Sequence, residues 1–578
     1  MIATCLGCPK LSDAQVNVAP PDVVKKMFQQ AAQGKNYMNA ADLAAFLENV
    51  QGEKNITEAH AVWLITQTVL SVIPGIHFSI SVQSVRLDLQ GFLSYLLNPR
   101  LNPPLMPSDT PTQDMTKPLS HYFIYSSHNS YLTGNQLTSK SSTIPIGEAL
   151  RGGCRVIELD CWERRGRIKV LHGNTLTRSI EFKDCVATIK ENAFLASDYP
   201  IIITIENHLP PTLQDQAAMI LKEIIGDHLF YPSKDERPPI QFHSPEALKG
   251  LIIVSDKPPS DSIEDQLVED PQGVNAFVEA DIDEDLRLNG RDIRRASKIK
   301  KHFKRAQRKT IQKVVQHAAI VIGDAPSHHV PKTIAFEELI YIYCAKPEEM
   351  KEKHKKGGPL IVGGHAIMAN LSEPQLQQII SRHPSSILEY CKNNLGRMYP
   401  FGLRFNSSNA DPMVAWSHGM QVAAINMQGN DRPVWVARAL FSANGNCGYV
   451  KKPDLFLPGS NFDYEQISSL PPKVLLKVTV LLGTNWHKNF DFCKPPDFYV
   501  KISNITIAVP EIAVLRLEVW EWDVDYDDFV GQACIPMMEM RFGIRSVALH
   551  SKKGLLQSSK LLCHFQSETL EGASTSKG

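Results

Sequence analysis

The sequence predicts a multidomain protein: a helical lobe, a barrel of parallel strands and helices split by an insertion, and a small antiparallel β-sandwich. Two observations predict it. Apolar residues first recur at helical spacing, then form short buried runs separated by helices, and finally form strands alone. The length, 578 residues, also exceeds what one ordinary core accommodates. We therefore expect five segments, with bounds at 19–100, 116–260, 261–335, 336–456 and 470–567.

The first segment, residues 19–100, is predicted to be helical. Apolar residues recur at i, i+3 and i+4 in PPDVVKKMFQQAAQ, NAADLAAFLENVQ, TEAHAVWLITQTVLSV and LDLQGFLSYLLN. Four helices in two pairs is the EF-hand arrangement. The loop GKNYMNAAD, however, lacks the alternating Asp or Asn ligands, the central Gly and the terminal Glu of a calcium loop. We expect an EF-hand-like lobe that binds no metal.

The barrel is predicted from residues 116–260 and 336–456. Their apolar runs are typical of a parallel sheet buried on both faces, and helices such as TLQDQAAMILKEII lie between them. About eight such runs predict a (β/α)8 barrel of the TIM type. The runs are HYFIYSSHNS, CRVIELDCW, RIKVLHG, YPIIITIEN, LKGLIIVSDK, RMYPFGLRF, QVAAINMQ and NCGYVKKP.

Residues 261–335 interrupt the series with blocks of opposite charge. An acidic stretch is followed directly by RDIRRASKIKKHFKRAQRK, a pattern typical of a solvated linker. The linker either covers the active site or attaches to anionic lipid. The last segment, residues 470–567, is rich in strands (VLLKVTVLLG, DFYVKI, AVLRLEVWEWD, FVGQACIPM, KLLCHF), which predicts an antiparallel sandwich.

Composition narrows the function classes. Lys plus Arg equals Asp plus Glu at 61 each, so net charge gives no reason to expect a nucleic-acid partner. No run reaches the roughly 18 apolar residues that a membrane span needs, and the N-terminus does not resemble a secretory signal. The 11 cysteines follow no disulfide or zinc spacing. We expect a cytoplasmic protein whose contact with membranes is peripheral.

Polar residues at the ends of the first four barrel runs point to chemistry, because catalytic side chains of such barrels lie at the C-terminal ends of strands. They are His128, Asn129, Glu158, Asp160, His172 and Glu206. Glu158 and Asp160 lie two apart on one strand and face the same side. Converging carboxylates call for a hard divalent cation, Ca²⁺ or Mg²⁺. The histidines remain for proton transfer or charge stabilisation, a combination that suits phosphoryl transfer. Any one of these residues alone would more often be an ordinary strand-end residue.

These segments resemble a known family. YSSHNSYLTGNQL, GCRVIELDCW, LHGNTLTRSIEFKDCVATIKENAF and YPIIITIENH resemble the X half of phosphoinositide-specific phospholipases C, and RMYPFGLRFNSSN, HGMQVAAIN and NGNCGYVKKP resemble the Y half. An EF-hand-like lobe and a C-terminal C2-like, lipid-binding domain are similar to the plant-type members. The resemblance implies Ca²⁺-dependent hydrolysis of phosphatidylinositol 4,5-bisphosphate, or a related phosphoinositide, to diacylglycerol and inositol phosphate. The reaction would pass through a cyclic phosphate and serve intracellular signalling.

The resemblance also implies roles. His128 would stabilise the pentavalent phosphorus and His172 would act as general acid toward the diacylglycerol oxygen. Glu158 or Asp160 would be the base for the inositol 2-hydroxyl. The Ca²⁺ ligands would be Asn129, Glu158, Asp160 and Glu206. The headgroup would be bound by Ser255, Lys257, Asn370, Arg397 and Tyr399, with Asn370 standing where the family has Ser. Taken alone, Lys257 and Arg397 would more often be surface residues and Tyr399 a core residue.

The sandwich departs from the family pattern. Only a short stretch separates DFYVKI from AVLRLEVWEWD, so strands and one calcium loop are missing and we expect unpaired edges. The remaining acidic residues either form a second Ca²⁺ site or are loop residues without a metal. They are Asp491, Asp497, Asp523, Asp525 and Asp528.

Three functions remain open at this level. The first is a phospholipase C that acts on phosphoinositide lipids at an anionic membrane, peripherally at the inner face of the plasma membrane. The second is a catalytically weak lipid-binding scaffold derived from this family. The third is a phosphodiesterase for soluble glycerophosphodiesters, but it gives no reason for cations around the headgroup.

Overall fold

The chain, seen in a computed structural model, consists of two compact units. Residues 1–107 and 471–578 form one unit, and residues 108–470 form the other. The helical lobe and the C-terminal sheet thus share a unit although the barrel separates them in the sequence. The structure describes residues 19–72, 86–106, 108, 110–173, 175–234, 237–257, 331–345, 366–402, 404–486, 497–503, 506–522 and 527–570.

The described part of the helical lobe, residues 19–72 and 86–100, contains four helices, which confirms the predicted helical class. Asn39 caps the second helix in a capping box with Asp42, where each side chain accepts a hydrogen bond from the other residue's backbone N–H. The helices enclose an aromatic core in which Phe46 meets Phe92 edge to face at 5.0 Å. The helices are α1 (Asp22–Ala31), α2 (Ala40–Asn49), α3 (Glu58–Val72) and α4 (Leu89–Leu96).

The second unit is built on parallel strands, four from each half of the predicted barrel. In chain order these and the four other strands are β1 (Tyr122–Ile124), β2 (Ser126–Ser127), β3 (Val156–Arg164), β4 (Arg167–Val170), β5 (Ile180–Glu181), β6 (Ile201–His208), β7 (Ile252–Lys257), β8 (Ile340–Ile342), β9 (Met368–Ser372), β10 (Leu395–Tyr399), β11 (Val422–Ile425) and β12 (Tyr449–Lys451). The parallel order is β8-β7-β6-β3-β2-β11-β10-β9. A parallel bridge between Cys344 and Met368 joins its two ends. The split barrel is therefore confirmed.

Two predicted barrel strands lie outside the barrel. The run RIKV is β4, which pairs antiparallel with β3 through a turn at Arg165 and Gly166, both at positive φ. The run in NCGYVKKP is β12, which pairs antiparallel with β1. The barrel takes β8 and β9 instead. An apolar run predicts a buried strand but does not specify its partner.

Helices accompany the barrel strands. They are α5 (Ile144–Arg151), α6 (Phe182–Asn192), α7 (Pro211–Ile225), α8 (Ile334–Glu337), α9 (Glu373–Arg382), α10 (Pro384–Asn393), α11 (Pro412–Trp416) and α12 (Arg432–Ser442). The predicted helix TLQDQAAMILKEII is α7. Ser372 ends β9 and also caps α9 through the backbone N–H of Gln375. Within the described ranges, no helix combines the length and apolar character needed to cross a bilayer.

The C-terminal sheet is antiparallel throughout and has seven strands. They are β13 (Val474–Thr484), β14 (Asp497–Ser503), β15 (Thr506–Ile507), β16 (Val514–Trp522), β17 (Asp528–Pro536), β18 (Gly543–His550) and β19 (Leu556–Thr569). The order is β14-β16-β17-β18-β19-β13-β15. The terminal strands β14 and β15 are separated in sequence by residues 504–505 alone. Because so short a segment spans only about 11 Å, the two ends of the sheet must lie close together, so the sheet curls around its core.

A buried polar network joins the lobe to this sheet. The Gln51 side chain donates to the carbonyl of Ile544 at 2.7 Å and accepts from its N–H. Arg545, 1% exposed, forms an ion pair with Glu53 at 2.8 Å and donates to Asn102. These contacts were not predicted, because nothing local in the sequence relates residues nearly 500 positions apart.

Candidate active site

The neighbouring strands β3 and β6 bring three carboxylates together. Glu158 and Asp160 lie on β3, and Asp160 pairs in register with Glu206 on β6. One oxygen from each residue lies within 4.8 Å of the others, and all three side chains are buried. The prediction that Glu158 and Asp160 face the same side is confirmed.

The cluster suits a hard divalent cation. Asp160 Oδ2 accepts a hydrogen bond from the Tyr131 hydroxyl at 2.8 Å, whereas the buried Asp160 Oδ1 has no hydrogen-bond partner in the described part of the chain. Burial, and then the neighbouring Glu206, raise the pKa of Asp160 well above its ordinary value. A carboxylate oxygen without a partner, among oxygen donors alone, is what such a cation would bind.

Asn129 brings an amide to the same cluster. It follows β2 in the left-handed region, with φ of 43°. Its backbone N–H donates to Glu158 Oε2 at 3.1 Å, and its Oδ1 accepts from the Tyr131 hydroxyl at 3.2 Å. Tyr131 therefore links the Asn129 side chain to Asp160, one of the three clustered carboxylates.

Two buried cations contact the carboxylates. Lys257 Nζ lies 2.7 Å from Glu158 Oε1 and also contacts Glu206. Arg397 Nη2 lies 2.8 Å from Glu158 Oε2. Burial acts to raise the pKa of Glu158, but Arg397 and Lys257 outweigh it and hold the pKa well below its ordinary value. The residues predicted for the headgroup thus lie against those predicted for the metal.

The other predicted headgroup residues lie beside these cations. Asn370 Oδ1 accepts from Arg397 Nη1 at 2.8 Å, so an amide at this position fixes the guanidinium. The Tyr399 ring centre lies 5.4 Å from Lys257 Nζ and 5.8 Å from Arg397 Cζ. Ser255 lies two residues before Lys257 on β7, and its buried Oγ has no hydrogen-bond partner within the described ranges. The contacts join Asn370, Arg397, Tyr399 and Lys257, whereas Ser255 is placed only by its position on the same strand as Lys257.

His128 follows β2 and points at the cluster. Its Nδ1 is 2.9 Å from Asn426 Oδ1, and its Nε2 is 3.8 Å from Glu158 Oε2. Burial lowers the pKa of His128 to about 4, although the Glu158 carboxylate acts in the opposite direction. The ring is thus fixed at Nδ1, and Nε2 is left facing the carboxylates.

His172 is positioned by a hairpin and not by a barrel strand. The β3–β4 hairpin returns the chain to the barrel, where Leu171 N–H donates to the Asp160 carbonyl at 3.2 Å. His172 Nδ1 donates to the Gln136 carbonyl at 2.7 Å, which leaves Nε2 for proton exchange. Burial lowers the pKa of His172. The hairpin explains why His172 reaches the site although its strand was misassigned.

Four further residues belong to this site and were not predicted. They are Tyr131, Gln136, His208 and Asn426. His208 Nε2 lies 2.8 Å from Glu206 Oε1, and its ring stacks on Trp162 at 3.6 Å. Its position, two residues after Glu206 on one strand, was a usable signal. Asn426 gave no such signal, because it contacts His128 although 298 positions separate the two residues in the sequence.

The acidic residues of the C-terminal sheet are only partly described. Asp497 and Asp528 begin β14 and β17, and both pair with the last residues of β16, so they lie at the same end of the sheet. Asp491, Asp523 and Asp525 lie outside the described residues. A second Ca²⁺ site here stays a prediction.

Comparison with protein families gives three matches. Residues 115–258 match the X domain of phosphatidylinositol-specific phospholipase C, and residues 339–455 match its Y domain. Residues 20–102 match the EF-hand-like domain of phosphoinositide-specific phospholipase C. The matches thus fall on the helical lobe and on both halves of the barrel.

Alignments with individual relatives cover nearly the whole chain. Phosphoinositide phospholipase C 6 of Arabidopsis thaliana is 36% identical, with 95% of this chain and 94% of the relative covered. Mouse 1-phosphatidylinositol 4,5-bisphosphate phosphodiesterase delta-3 is 29% identical, with 94% and 68% covered. The crystal structure of PLC21 from L. pealei matches with a TM-score of 0.68 at 22% identity, covering 95% of this chain and 69% of that one. This last likeness concerns the fold.

Proposed function

From the premise that this chain belongs to the phosphoinositide-specific phospholipase C family, we propose that it hydrolyses phosphatidylinositol 4,5-bisphosphate or a related phosphoinositide. The products are diacylglycerol and a soluble inositol phosphate. The observation that carries the proposal is the convergence of three buried carboxylates with His128 and His172 at one end of the barrel. A scaffold without catalysis has no use for this complete set, which favours the enzyme over the scaffold.

The metal of this site is proposed to be Ca²⁺, held by Asn129, Glu158, Asp160 and Glu206. Carboxylate and amide oxygens suit this ion, and Asp160 Oδ1 supplies an oxygen without a hydrogen-bond partner. When bound, Ca²⁺ supplies positive charge that lowers the pKa of the attacking hydroxyl and stabilises the phosphoryl oxygens.

The protein groups divide the proton transfers among themselves. Glu158 or Asp160 takes the proton of the inositol 2-hydroxyl, whose oxygen attacks phosphorus and closes the cyclic phosphate. His128, protonated on both ring nitrogens at this step, donates from Nε2 and stabilises the charge that develops on the phosphoryl oxygens. His172, protonated on both ring nitrogens at this step, gives the Nε2 proton to the departing diacylglycerol oxygen. It takes a proton back from the water that opens the cyclic phosphate, while the carboxyl of Glu158 or Asp160 returns its proton to the 2-oxygen.

Headgroup recognition is proposed for the group formed by Ser255, Lys257, Asn370, Arg397 and Tyr399. Two fixed positive charges suit ring phosphates, and the guanidinium held by Asn370 offers directed donors. These buried cations also distinguish the proposed substrate from simple glycerophosphodiesters, whose headgroups carry no ring phosphate.

The substrate places the reaction at a membrane surface. We propose peripheral attachment at the inner face of the plasma membrane, where anionic lipids lie. Leu176 supports contact with lipid: it follows His172 by four residues, yet 68% of it is exposed. The C-terminal sheet is proposed as a second lipid-binding element.

The test is release of soluble inositol phosphate from vesicles that contain phosphatidylinositol 4,5-bisphosphate, with Ca²⁺ or with a chelator. His172→Ala should lower the Ca²⁺-dependent rate by about 10²- to 10⁴-fold. His228→Ala is the matched control, because this exposed histidine also donates from Nδ1 to a backbone carbonyl, that of Gly250. Wild-type protein that is folded and inactive on both vesicles and detergent-dispersed substrate would favour the scaffold.

A further inference from the structure

We propose that Gln136 and Asn426 are positioning residues for the hydrolysis, with Gln136 from the first half of the barrel and Asn426 from the second. The inference rests on the function proposed above and names groups that act through the two histidines and Asn129. Both amide side chains are buried, at 4% and 1% exposure. Buried amides normally hydrogen-bond fully, so their partners show what they hold in place.

Gln136 contacts two groups of the site by different atoms. Its side-chain Oε1 accepts from Asn129 Nδ2 at 3.0 Å, which turns Asn129 Oδ1 toward the carboxylates. Its main-chain carbonyl accepts from His172 Nδ1 at 2.7 Å. One residue therefore fixes both an amide ligand of the proposed metal site and the ring of the proposed general acid.

Asn426 holds the other histidine. Its Oδ1 accepts from His128 Nδ1 at 2.9 Å and from Gln136 Nε2 at 3.1 Å. An amide oxygen only accepts, so the proton of His128 lies on Nδ1, and Nε2 is directed at the cluster. The shared oxygen couples Asn426 to Gln136.

Asn426 is itself held rigidly by a neighbouring asparagine of the second half. Its N–H donates to Asn409 Oδ1 at 2.7 Å, and its carbonyl accepts from Asn409 Nδ2 at 3.0 Å. Its own Nδ2 donates to the Ser408 carbonyl at 3.2 Å. Ser407 Oγ accepts from Gln136 Nε2 at 2.8 Å, which ties the first half to the same loop. The second half therefore aligns His128 directly through Asn426, and it holds Gln136, whose main-chain carbonyl fixes His172.

The alignment of the histidines affects the chemical step more than it affects substrate binding. Truncating a group that orients a catalytic side chain typically costs about 10- to 100-fold in activity or in metal affinity. Asn426→Ala should lower kcat by about this factor and leave KM and Ca²⁺ affinity within about twofold. Gln136→Met keeps the main-chain carbonyl that fixes His172 and removes only the side-chain contacts. It should lower kcat to a similar extent, because Asn426 loses a donor, and weaken Ca²⁺ binding by about tenfold, because Asn129 is released.

The experiment measures kcat and KM on detergent-dispersed phosphatidylinositol 4,5-bisphosphate, and Ca²⁺ affinity by calorimetry without substrate. Asn426→Asp keeps an acceptor for His128 and should recover most of the rate lost in Asn426→Ala. Gln214→Met is the matched control. Gln214, 1% exposed, also uses its amide in backbone hydrogen bonds, to the carbonyls of Leu209 and Pro331 and from Thr333 N–H. Gln214→Met should lower the melting temperature but leave kcat unchanged.

The outcomes separate this inference from the proposed function. Loss of activity in His128→Ala together with wild-type kcat in folded Asn426→Ala and Gln136→Met overturns the positioning roles alone. Equal losses of kcat in Asn426→Ala and Asn426→Asp also overturn them, since a merely structural role explains both. A wild-type rate in His128→Ala overturns the proposed function and this inference together.

Discussion

Lys257 Nζ lies 2.7 Å from Glu158 Oε1, inside the carboxylate cluster of the candidate metal site. The ammonium is 4% exposed and contacts Glu206 as well. Burial acts to lower the pKa of Lys257, but Glu158 and Glu206 outweigh it and raise the pKa above its ordinary value. Lys257 is therefore a cation that offsets carboxylate repulsion in the metal-free site.

Replacing Lys257 should destabilise the metal-free protein more than the Ca²⁺-bound protein. Lys257→Gln leaves Glu158 and Glu206 with one positive charge fewer, and breaking a buried pair costs about 3–5 kcal/mol. Bound Ca²⁺ supplies positive charge to the same carboxylates, so the loss of stability in Lys257→Gln should be smaller when Ca²⁺ is added. Melting temperatures with a chelator and with saturating Ca²⁺ measure this.

The control for this comparison is Lys249→Gln, whose partner Glu246 lies 3.8 Å away on the surface. Exposed pairs contribute little, so its melting temperature should stay near wild type. An equal deficit of Lys257→Gln with and without Ca²⁺ would contradict the charge-balancing role.

A second prediction concerns the junction of the helical lobe and the C-terminal sheet. Arg545→Ala removes a guanidinium that is 1% exposed and leaves the Glu53 carboxylate with one ion-pair partner fewer. The expected cost is about 3 kcal/mol or more. Calorimetry should show the lobe and the sheet melting together, earlier than in wild type. Lys25→Ala, which breaks an exposed pair with Asp22, is the control. Two separate transitions in wild type would contradict a shared unit.

The sequence allowed the ligands of the site to be predicted because they lie on or beside strands that follow local rules. Glu158 and Asp160 alternate on β3, and Glu206 ends a neighbouring apolar run, so periodicity alone places them together. The eight-stranded barrel followed from counting such runs. The choice of runs assigned to the barrel was partly wrong. The run that forms β4 is as apolar as a barrel strand, but the chain turns back at Arg165 and Gly166 and pairs it antiparallel with β3.

Contacts between distant segments could not be predicted. Asn426 and His128 meet only because β11 lies beside β2, a pairing set by the closed strand order and not by either segment. The ion pairs of Lys257 and Arg397 with Glu158 have the same origin: β7 and β10 are not neighbours of β3, and the closed strand order brings their cations to its carboxylate. Periodicity shows which face of a strand is buried, whereas the closure of the barrel decides what that face contacts.

A third prediction tests the membrane contact at Leu176. Leu176→Ser removes an exposed apolar side chain near His172 and should lower activity on vesicles by about tenfold, since burying such a side chain is worth about 1.5–3 kcal/mol. Activity on detergent-dispersed substrate should stay unchanged. Leu195→Ser, at a residue that is also 68% exposed, is the control. Equal losses on both substrates would contradict a lipid contact and indicate an effect on the site itself.

The last prediction concerns Lys452, which is buried in the barrel unit and donates to the carbonyls of Cys391 at 2.8 Å and Gly419 at 3.2 Å. Burial lowers the pKa of Lys452 to about 7. The unfolded chain therefore binds more protons than the folded chain between about pH 7 and pH 10, so stability should rise with pH in this window, by up to about 1.4 kcal/mol per unit. Below about pH 7 both states are protonated, and the cost of the buried charge is fully present.

Lys452→Met isolates this contribution, because other titrating groups cancel when it is compared with wild type. Calorimetry at about pH 6.5 and about pH 9.5 should show wild type gaining stability relative to Lys452→Met as the pH rises. Lys451→Met, at the neighbouring residue that pairs with Asp454 on the surface, should show no such trend. A difference between wild type and Lys452→Met that is independent of pH would mean that Lys452 keeps its proton in the folded barrel. Its two carbonyl acceptors would then be strong enough to hold an ammonium that forms no ion pair with a carboxylate in the described part of the chain.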